Sequence, residues 1–477
     1  FYSEQESSLH FSSRCEALAP ETSNYDHEYI AEFVMGHTTS SVNTMYRGVQ
    51  RVAPAHVMTW RESRCESTRL WEPRDIALAN MSFSDACDSF QLKFTDSVRS
   101  RMNGPTAVWA DLSGGLDSSS IVVTAASLAR AGLVTPLQGT RTYEDSLGDA
   151  DERRFVDAVV QKAGVPSTRI GDDWPWRDDG ELPPLSDEPS AQYPYFACER
   201  RMNRAVTDRG ASIVLDGQGS DYYLWGNDFH FTDLLAKRRI AAAALDAQKI
   251  ARSYRCSIWR IFWCYGIAPF VPRALRHSVT ARAVQTPNWL TPSFVKSQDL
   301  RRLLPGALLK PHAERGRWFN KICLELESVP NVFRGELEPD RIEVRSPFLS
   351  RPLVELALSL APEQVAPPGE PKRILRQALQ NELPEIVRDR KTKGVANGRF
   401  IWALGREEAF IDELLRQPVL ADIGIVDAEK LRSAVRDARG GRILNPAYLL
   451  GTLAMETWLS VRAGDWDALT VASSRST

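Results

Sequence analysis

The segment Asp111–Ser119 reads Asp-Leu-Ser-Gly-Gly-Leu-Asp-Ser-Ser and combines small, hydroxyl-bearing and acidic residues in a way that suits phosphate binding. It follows a short apolar run and opens a predicted helix, whose first N–H groups lack intrahelical partners and carry partial positive charge. Its two glycines allow the backbone to approach a ligand closely. The residues predicted to bind the phosphates here are Leu112, Ser113, Gly114, Gly115, Asp117, Ser118 and Ser119.

Asp117 stands inside this phosphate loop, although a carboxylate and a phosphate repel each other. A Mg²⁺ ion between them would remove the conflict, because magnesium commonly joins a carboxylate to phosphate oxygens. The loop is not of the Walker A type, since the sequence contains no Gly-Lys dipeptide. An ordinary polar turn between a strand and a helix is the alternative interpretation.

A second glycine-rich segment, Asp216–Asp221, follows another apolar run about a hundred residues downstream and reads Asp-Gly-Gln-Gly-Ser-Asp. It is not a dinucleotide-binding fingerprint, because Tyr222 stands where the third glycine would be. Gly217 leaves room for a nucleotide, and Asp221 offers a carboxylate to a metal ion. Alone the segment predicts a simple turn. Together with the phosphate loop it indicates a nucleotide site.

Basic residues that suit phosphate chemistry lie further along, in Lys372–Arg376 and Arg390–Gly394. A lysine near the reacting groups would stabilise a phosphate group or an oxyanion. Lys393 is the preferred candidate, because the glycine after it permits close approach, and Lys391 is its competitor. Lys372 is predicted to contact a phosphate group. The alternative for such basic residues is a solvated surface.

The elements that must position these residues alternate between strand and helix. Such alternation predicts a parallel sheet covered by helices on both faces, with ligands bound at the carboxyl ends of the strands. An amphipathic helix over 82–102, capped by Ser82 or Ser84, precedes this region. The predicted strands are 107–110, 136–143, 167–170 and 212–216, and the predicted helices between them are 118–130, 151–164 and 193–207.

The rest of the chain is predicted to be β-rich before this region and mostly helical after it. Residues 1–75 contain strand-like alternation at 9–13 and 56–60 and helical spacing at 29–35. We therefore divide the chain into an N-terminal domain (1–75), a nucleotide-binding domain (76–465) and a disordered tail (466–477). The predicted later helices are 232–251, 322–327, 351–360, 372–381, 407–415, 428–439 and 448–463.

Composition predicts a soluble globular protein, with 43% hydrophobic and 25% charged residues. The 59 basic and 61 acidic residues give a net charge of -2, so no nucleic-acid or anionic membrane partner is expected. The longest apolar run, 261–271, is too short to cross a bilayer. The seven cysteines form no Cys-x-x-Cys pair, which argues against a zinc ribbon or a disulfide framework and predicts a cytoplasmic location.

The phosphate loop resembles the pyrophosphate loop of the N-type ATP pyrophosphatases, and Asp216–Asp221 resembles the GxGxDE loop of the asparagine synthetases in that superfamily. The resemblance implies a parallel-sheet α/β synthetase domain of the adenine nucleotide α-hydrolase-like type, with a helical C-terminal part. It also implies that ATP and Mg²⁺ bind, with Asp117 and Asp221 sharing the metal ion. Gln218 and Tyr222 depart from the family pattern, and these departures concern the acceptor substrate.

Three later segments carry the same resemblance. Glu343–Leu349 is similar to the ExRxPFLD segment, with Ser350 in place of Asp, and the likeness makes Glu343 the candidate that binds or deprotonates the attacking amine. The two basic segments resemble the KxxLR helix and the RxxK loop of the family, which lie near the phosphates. Asp151–Phe155 resembles a segment that caps a helix beside the ATP site. Ser186–Pro189 resembles one that lines the acceptor pocket, unless it forms only a loop.

The N-terminal segment resembles the last part of a class II glutaminase domain, in residues 11–17, 30–33, 46–49 and 51–56. Such domains use an N-terminal cysteine as nucleophile and its α-amine as base. The sequence begins at Phe1, and Cys15 is internal and has no free α-amine. We therefore expect a β-rich remnant of a glutaminase-like domain and no glutamine-dependent activity from this chain.

The resemblance implies an ATP-dependent synthetase that adenylates a small-molecule or peptide carboxylate and releases pyrophosphate. Ammonia, glutamine-derived nitrogen or a substrate amine then displaces AMP. Asparagine synthesis from aspartate is the default, and a macrolactam-forming lasso-peptide cyclase of the same family is the alternative. A PP-loop enzyme that modifies tRNA and a non-catalytic scaffold that retains the fold are the alternatives from other classes. The oligomeric state does not follow from the sequence.

Overall fold

A computed structural model gives the fold of the chain, and the ranges that it describes carry both predicted glycine-rich loops. Within those ranges, no helix is both long and apolar enough to cross a membrane. The described residues are 1–5, 8–19, 24–36, 40–62, 64–73, 76–104, 107–144, 152–171, 177, 186–191, 193–226, 229–253, 256–267, 271, 286–298, 300, 319–321, 323–324, 342–390, 397–442 and 446–463.

The N-terminal segment contains two antiparallel strand pairs and a helix. Its elements in chain order are β1 (Tyr2–Gln5), β2 (Ser8–Phe11), α1 (His27–Val34), β3 (His56–Arg61) and β4 (Arg64–Arg69). β1 pairs with β2, and β3 pairs with β4. Asp26 caps α1, because its carboxylate accepts hydrogen bonds from the N–H groups of Glu28 and Tyr29. The predicted β-rich segment with one helical stretch is confirmed.

The alternating region forms a sheet in which every neighbouring pair of strands is parallel. Its strands are β5 (Val108–Asp111), β6 (Gly139–Glu144), β7 (Ser167–Gly171), β8 (Ile213–Leu215) and β9 (Glu343–Arg345). Their order across the sheet is β7-β6-β5-β8-β9. Because β5 and β8 are neighbours, the two glycine-rich loops leave the sheet side by side. The predicted parallel α/β architecture is confirmed.

Helices cover both faces of this sheet. The first four are α2 (Phe83–Arg101), α3 (Leu116–Arg130), α4 (Arg153–Ala163) and α5 (Phe196–Thr207). The core on one face includes Phe90 of α2, Ile121 of α3 and Phe155 of α4. On the other face, Val206 of α5 packs with Trp109 of β5. The sheet is therefore buried on both sides, as its run of apolar strand residues predicts.

The starts of α2 and α3 can be compared with their predicted positions. The hydroxyl of Ser82 accepts a hydrogen bond from the N–H group of Asp85 at 3.2 Å, so the predicted capping of α2 by Ser82 is confirmed. α3 begins at Leu116, two residues before the predicted start at Ser118. Asp117 consequently lies in the first turn of α3, where the helix dipole favours a negative charge.

The rest of the described chain is mostly helical. The predicted helix 232–251 is wrong as one element, because Arg238 has a φ of +57° in the left-handed region and separates two helices. The predicted helix 322–327 and the predicted tail lie largely or wholly outside the described residues. The helices are α6 (Ser220–Leu224), α7 (Phe229–Ala236), α8 (Ile240–Ser253), α9 (Ile258–Ile261), α10 (Pro292–Ser297), α11 (Arg351–Ser359), α12 (Pro362–Val365), α13 (Arg373–Ala378), α14 (Glu385–Arg388), α15 (Asn397–Arg406), α16 (Glu408–Leu414), α17 (Val419–Asp422), α18 (Ala428–Arg439) and α19 (Pro446–Arg462), with a π-helical stretch at Phe262–Ile267.

The N-terminal segment shares a hydrophobic core with the C-terminal helices. Ile30 and Val34 of α1 and Met45 lie in the same buried cluster as Leu453 and Trp458 of α19. All five side chains are 1% exposed or less. The predicted domain boundary near residue 75 therefore does not separate two independent cores, and the division into domains stays a prediction.

Candidate active site

The phosphate loop joins β5 to α3 and is held by its own serines. The hydroxyl of Ser118 accepts a hydrogen bond from the N–H group of Ser113 at 3.1 Å, and the two hydroxyl oxygens are 3.2 Å apart. The N–H group of Gly115 donates to the Ser113 hydroxyl at 3.3 Å. Gly115 is the N-cap of α3 and provides no capping side chain, so the first turn of the helix keeps N–H groups for an anionic ligand.

Two residues predicted to bind phosphate lie beneath the loop. Leu112 is 1% exposed, and its carbonyl oxygen accepts a hydrogen bond from the Thr142 hydroxyl at 2.8 Å. Ser119 is completely buried, and its hydroxyl has no hydrogen-bond partner among the described residues. These side chains pack the loop against the sheet. The contribution of Ser119 to phosphate binding stays a prediction.

The second loop, Asp216–Asp221, packs directly on the phosphate loop. A Cβ atom placed on Gly217 would lie 3.0 Å from the Cβ atom of Asp117, so the two loops touch at this point. Gly219 has a φ of +101°, and a Cβ atom there would lie 2.5 Å from Cδ2 of Leu349. Both the backbone conformation and the lack of space require glycine at position 219.

Lys372 connects the two loops. Its Nζ atom lies 2.5 Å from Oδ2 of Asp117, 2.5 Å from Oδ1 of Asp221 and 3.0 Å from the hydroxyl of Ser220. The exposed fraction of the side chain is 4% for Lys372, 13% for Asp117 and 54% for Asp221. The three charged groups therefore form a cluster with a net charge of about -1, closed on the Asp117 side and open on the Asp221 side.

The backbone of Lys372 is fixed in an unfavourable conformation. Its φ of +57° and ψ of 34° place it in the left-handed region, which costs a residue with a side chain roughly 1–3 kcal/mol. Its N–H group donates to the carbonyl oxygen of Leu224 at 2.9 Å, which ties it to the end of α6. Lys372 was predicted to contact pyrophosphate, and the structure places its ammonium group between the two predicted metal ligands.

The two carboxylates suit a magnesium ion in their chemistry. Oδ1 of Asp117 is buried and has no hydrogen-bond partner in the described part of the chain, whereas Oδ2 is bound by Lys372. Magnesium binds hard oxygen ligands and is often held by one or two carboxylates together with substrate phosphates. Among the described residues, no group of three or more His, Cys, Asp or Glu side chains forms a complete metal site. Asp117 and Asp221 would therefore hold Mg²⁺ together with a phosphate-bearing ligand.

Arg390 supports the phosphate loop, and the sequence analysis did not identify this role. Its guanidinium group donates to the carbonyl oxygen of Gly114 at 3.2 Å and forms an ion pair with Glu152 at the start of α4. Its Cζ atom lies 4.2 Å from the centroid of the Phe155 ring. The signal in the sequence was the basic segment 390–394, in which the lysines were the predicted functional residues. Lys393 and Lys391 of that segment lie outside the described residues.

Glu343, the predicted base, is the first residue of β9 and pairs with Ile213 at the start of β8. Its carboxylate, 58% exposed, binds the guanidinium group of Arg345 at 2.7 and 2.9 Å. This hydrogen-bonded partner lowers the pKa of Glu343 below its ordinary value. The described contacts do not bring Glu343 to the Lys372 cluster.

The segment Ser186–Pro189, considered for the acceptor pocket, binds the N-terminal segment instead. Asp187 pairs with Arg14 at 2.6 Å, and Glu188 pairs with Arg51. Asp187 and Glu188 are each 1% exposed, and burial raises the pKa of Glu188. These ion pairs fasten the N-terminal segment to the sheet-containing part.

The two residues of the second loop that depart from the predicted family pattern are in contact. Nε2 of Gln218 donates a hydrogen bond to the hydroxyl of Tyr222, across the first turn of α6. Both side chains are partly exposed and belong to the loop that carries Asp221. The two departures therefore form one local unit within the loop that carries Asp221.

The chain is similar in sequence to known proteins. A sequence model described as asparagine synthase matches residues 89–322 and 340–460. The protein named amidase chyE of Penicillium rubens is 23% identical, over 83% of this chain and 65% of its own length. The protein named glutamine-hydrolysing asparagine synthetase 3 of Bacillus subtilis is 28% identical, over 26% of this chain and 21% of its own length. The chain thus spans less than two thirds of each of these relatives.

Proposed function

The chain belongs to the asparagine synthase family, and from this membership we propose that it is an ATP-dependent amide-bond synthetase that releases AMP and pyrophosphate. The observation that carries the proposal is the position of Lys372 between Asp117 and Asp221, where the two loops touch. Preorganised N–H groups, hydroxyls and an ammonium group around one space suit an anionic transition state. The relatives' names, amidase and asparagine synthetase, both concern an amide group and support the proposal.

In the proposed reaction, an oxygen of the substrate carboxylate attacks the α-phosphorus of ATP. The bond from that phosphorus to the bridging oxygen breaks, and pyrophosphate leaves with the electron pair. The nitrogen of ammonia or an amine then attacks the acyl carbon of the adenylate. AMP leaves with the electrons of the acyl–oxygen bond, and the nitrogen gives a proton to a base. Holding both reactants in one site supplies much of the rate.

Each proposed role follows from the chemistry of a side chain. Lys372 and the N–H groups at the start of α3 bind the phosphates, and Lys393 stabilises the departing pyrophosphate or the oxyanion. Glu343 stays the candidate base by resemblance alone, because its carboxylate is paired with Arg345 at the start of β9 and no described contact joins it to the cluster. Asp117 and Asp221 are the proposed ligands of Mg²⁺, which when bound would offset the charge of the phosphates.

Two kinds of carboxylate substrate are candidates. Aspartate with ammonia is the first pair to test, because one relative is named an asparagine synthetase. The hydrogen bond between Gln218 and Tyr222 favours a more specialised acid, since these two departures lie in the loop that carries Asp221. A macrolactam-forming peptide cyclase is therefore the second candidate.

Product analysis tests the proposal. The chain is incubated with ATP, Mg²⁺, ammonium and a panel of carboxylates that includes aspartate, and the nucleotides are separated by chromatography. We expect AMP and pyrophosphate in equal amounts, and exchange of labelled pyrophosphate into ATP without ammonium. Asp117→Asn and Asp221→Asn should lose both activities, whereas Asp96→Asn, on the exposed side of α2, should keep them. ADP and orthophosphate as products would contradict the proposal.

A further inference from the structure

Trp225 lies beside the charged cluster and is half exposed. It directly follows α6 and comes four residues after Asp221, so the two side chains project from the same side of the helix. The centroid of its ring is 5.4 Å from Nζ of Lys372, within the range of a cation–π contact. The residue is nevertheless 51% exposed. The indole ring therefore has one part on the cluster and another part open to solvent.

The backbone on which Trp225 stands is held by contacts that also form the site. The carbonyl oxygen of Leu224 accepts the hydrogen bond from the N–H group of Lys372 at 2.9 Å. The buried hydroxyl of Tyr223 donates to the carbonyl oxygen of Phe348 at 2.6 Å. A large aromatic side chain on a fixed backbone loses little conformational freedom when a ligand stacks on it. The Trp225 ring is thus well placed for a ligand to stack on it.

We infer that Trp225 is a specificity-determining residue, which selects carboxylate substrates that carry an aromatic ring near the reacting carboxyl group. The inference rests on the proposed function. The Asp117 side of the cluster faces the phosphate loop and is closed, whereas the Asp221 side is open and contains Trp225. With the phosphates on the closed side, the acid enters on the open side, its carboxylate near Lys372 and its ring on the indole.

This arrangement discriminates between classes of acid. An aromatic ring gains from offset stacking on the indole in addition to the burial of its apolar surface. Aspartate carries a second carboxylate and no apolar plane, so it gains nothing from Trp225. Two other roles of the ring make different predictions. If the ring only shields Lys372, its replacement would change the affinity for all acids equally. If the ring stacks on adenine, its replacement would change the affinity for ATP.

Calorimetry on the whole chain, saturated with Mg²⁺ and α,β-methylene-ATP, tests the inference without turnover. The probes are 3-phenylpropanoate, 3-cyclohexylpropanoate and aspartate. We expect the phenyl acid to bind at least threefold more tightly than the cyclohexyl acid and tenfold more tightly than aspartate. Trp225→Leu should lower the affinity for the phenyl acid at least tenfold, and Trp225→Phe should lower it less than threefold. Trp259→Leu, at a more exposed tryptophan on α9, is the matched control and should change nothing.

The affinity for the ATP analogue should stay within twofold in all these variants. The inference is overturned if the phenyl acid does not bind, or if Trp225→Leu lowers the affinity for all three acids by the same factor. It is also overturned if Trp225→Leu lowers the affinity for the ATP analogue by as much as the affinity for the phenyl acid. Failure of every acid to support pyrophosphate exchange would count against the proposed function instead. The binding measurement separates these two failures.

Discussion

Arg390 donates a hydrogen bond to the carbonyl oxygen of Gly114 at 3.2 Å, although the two residues are 276 positions apart in the sequence. The same guanidinium group is paired with Glu152 and lies over the Phe155 ring. The shape of the phosphate loop therefore depends on a residue that is remote in sequence and adjacent to the segment containing Lys393.

Replacing Arg390 should disturb ATP binding more than chemistry. We expect Arg390→Ala to raise the KM for ATP about tenfold with a smaller fall in kcat, because the loss of one charge-assisted contact costs roughly 1.5–3 kcal/mol at most. Arg390→Lys should restore only part of the ATP affinity, since an ammonium group cannot bind both partners as the planar guanidinium group does. Steady-state kinetics check this, with Arg388→Ala as the neighbouring control. A pure kcat effect would be evidence against a role in holding the loop.

Lys372→Met should abolish adenylation and also destabilise the fold. The two carboxylates that share Lys372 would be left without their common cation, and breaking a buried ion pair costs about 3–5 kcal/mol. Adding Asp117→Asn should restore part of the free energy of unfolding but none of the activity. Urea denaturation and pyrophosphate release measure the two quantities separately. Recovery of activity in the double variant would remove Lys372 from the catalytic site.

Gly219→Ala should be destabilising because of both conformation and space. We expect a loss of about 1–3 kcal/mol, since φ is +101° and the new methyl group would meet Leu349. Gly424→Ala is the matched control, because Gly424 has a φ of +77° but no atom within 4 Å of the added Cβ. Thermal denaturation should rank Gly219→Ala as the more severe change. If Leu349→Ala gives no partial rescue, the steric part of the explanation is wrong.

Lys393→Ala should lose far more activity than Lys391→Ala. A single charge placed on a developing oxyanion contributes roughly 3–4 kcal/mol, so a fall in kcat of about a hundredfold or more is expected. Initial rates of pyrophosphate release at saturating ATP give the comparison. Similar, mild effects of both changes would return this segment to a solvated surface loop.

Glu456 should make stability depend on pH. Burial raises the pKa of this carboxyl group from 4.5 to about 7, and its oxygens accept the N–H groups of Val419 and Leu420. Because the folded state holds the proton more tightly, the contribution is fully present below about pH 4.5 and is lost as pH rises through 7. We expect wild type to lose about 3 kcal/mol relative to Glu456→Gln between pH 4 and 8. Urea titrations at each pH measure the difference, and a constant difference would contradict this explanation.

The sequence predicted the parts of the fold whose signals are local. An apolar run followed by glycines located β5, β8 and both loops, and the capping serine located the start of α2. The failure at Arg238 has the same origin, because residues 237–239 are Lys-Arg-Arg, which are good helix formers and give no local sign of a left-handed residue. About one or two terminal residues of a helix depend on geometry that periodicity does not contain.

The long-range pairings were not predictable from one sequence. The type of Lys372 indicated a phosphate contact, but nothing near it in the chain indicates ion pairs with Asp117 and Asp221. Glu343 was identified by resemblance, whereas its pairing with Arg345 follows from two side chains projecting from the same face of β9. Trp225 carries no motif, and its relevance appears only when Lys372 is placed under the ring.

The core shared by α1 and α19 has a consequence for the synthesis of the protein. Glu16 and Arg462, which are paired in the folded chain, are 446 residues apart. At 5–20 residues per second, the ribosome needs roughly 20–90 s to make this stretch, and Ile30 and Val34 have no α19 to cover them during that time. The chain should therefore depend on chaperones that bind apolar segments on the ribosome, and form this shared core only after α19 has emerged.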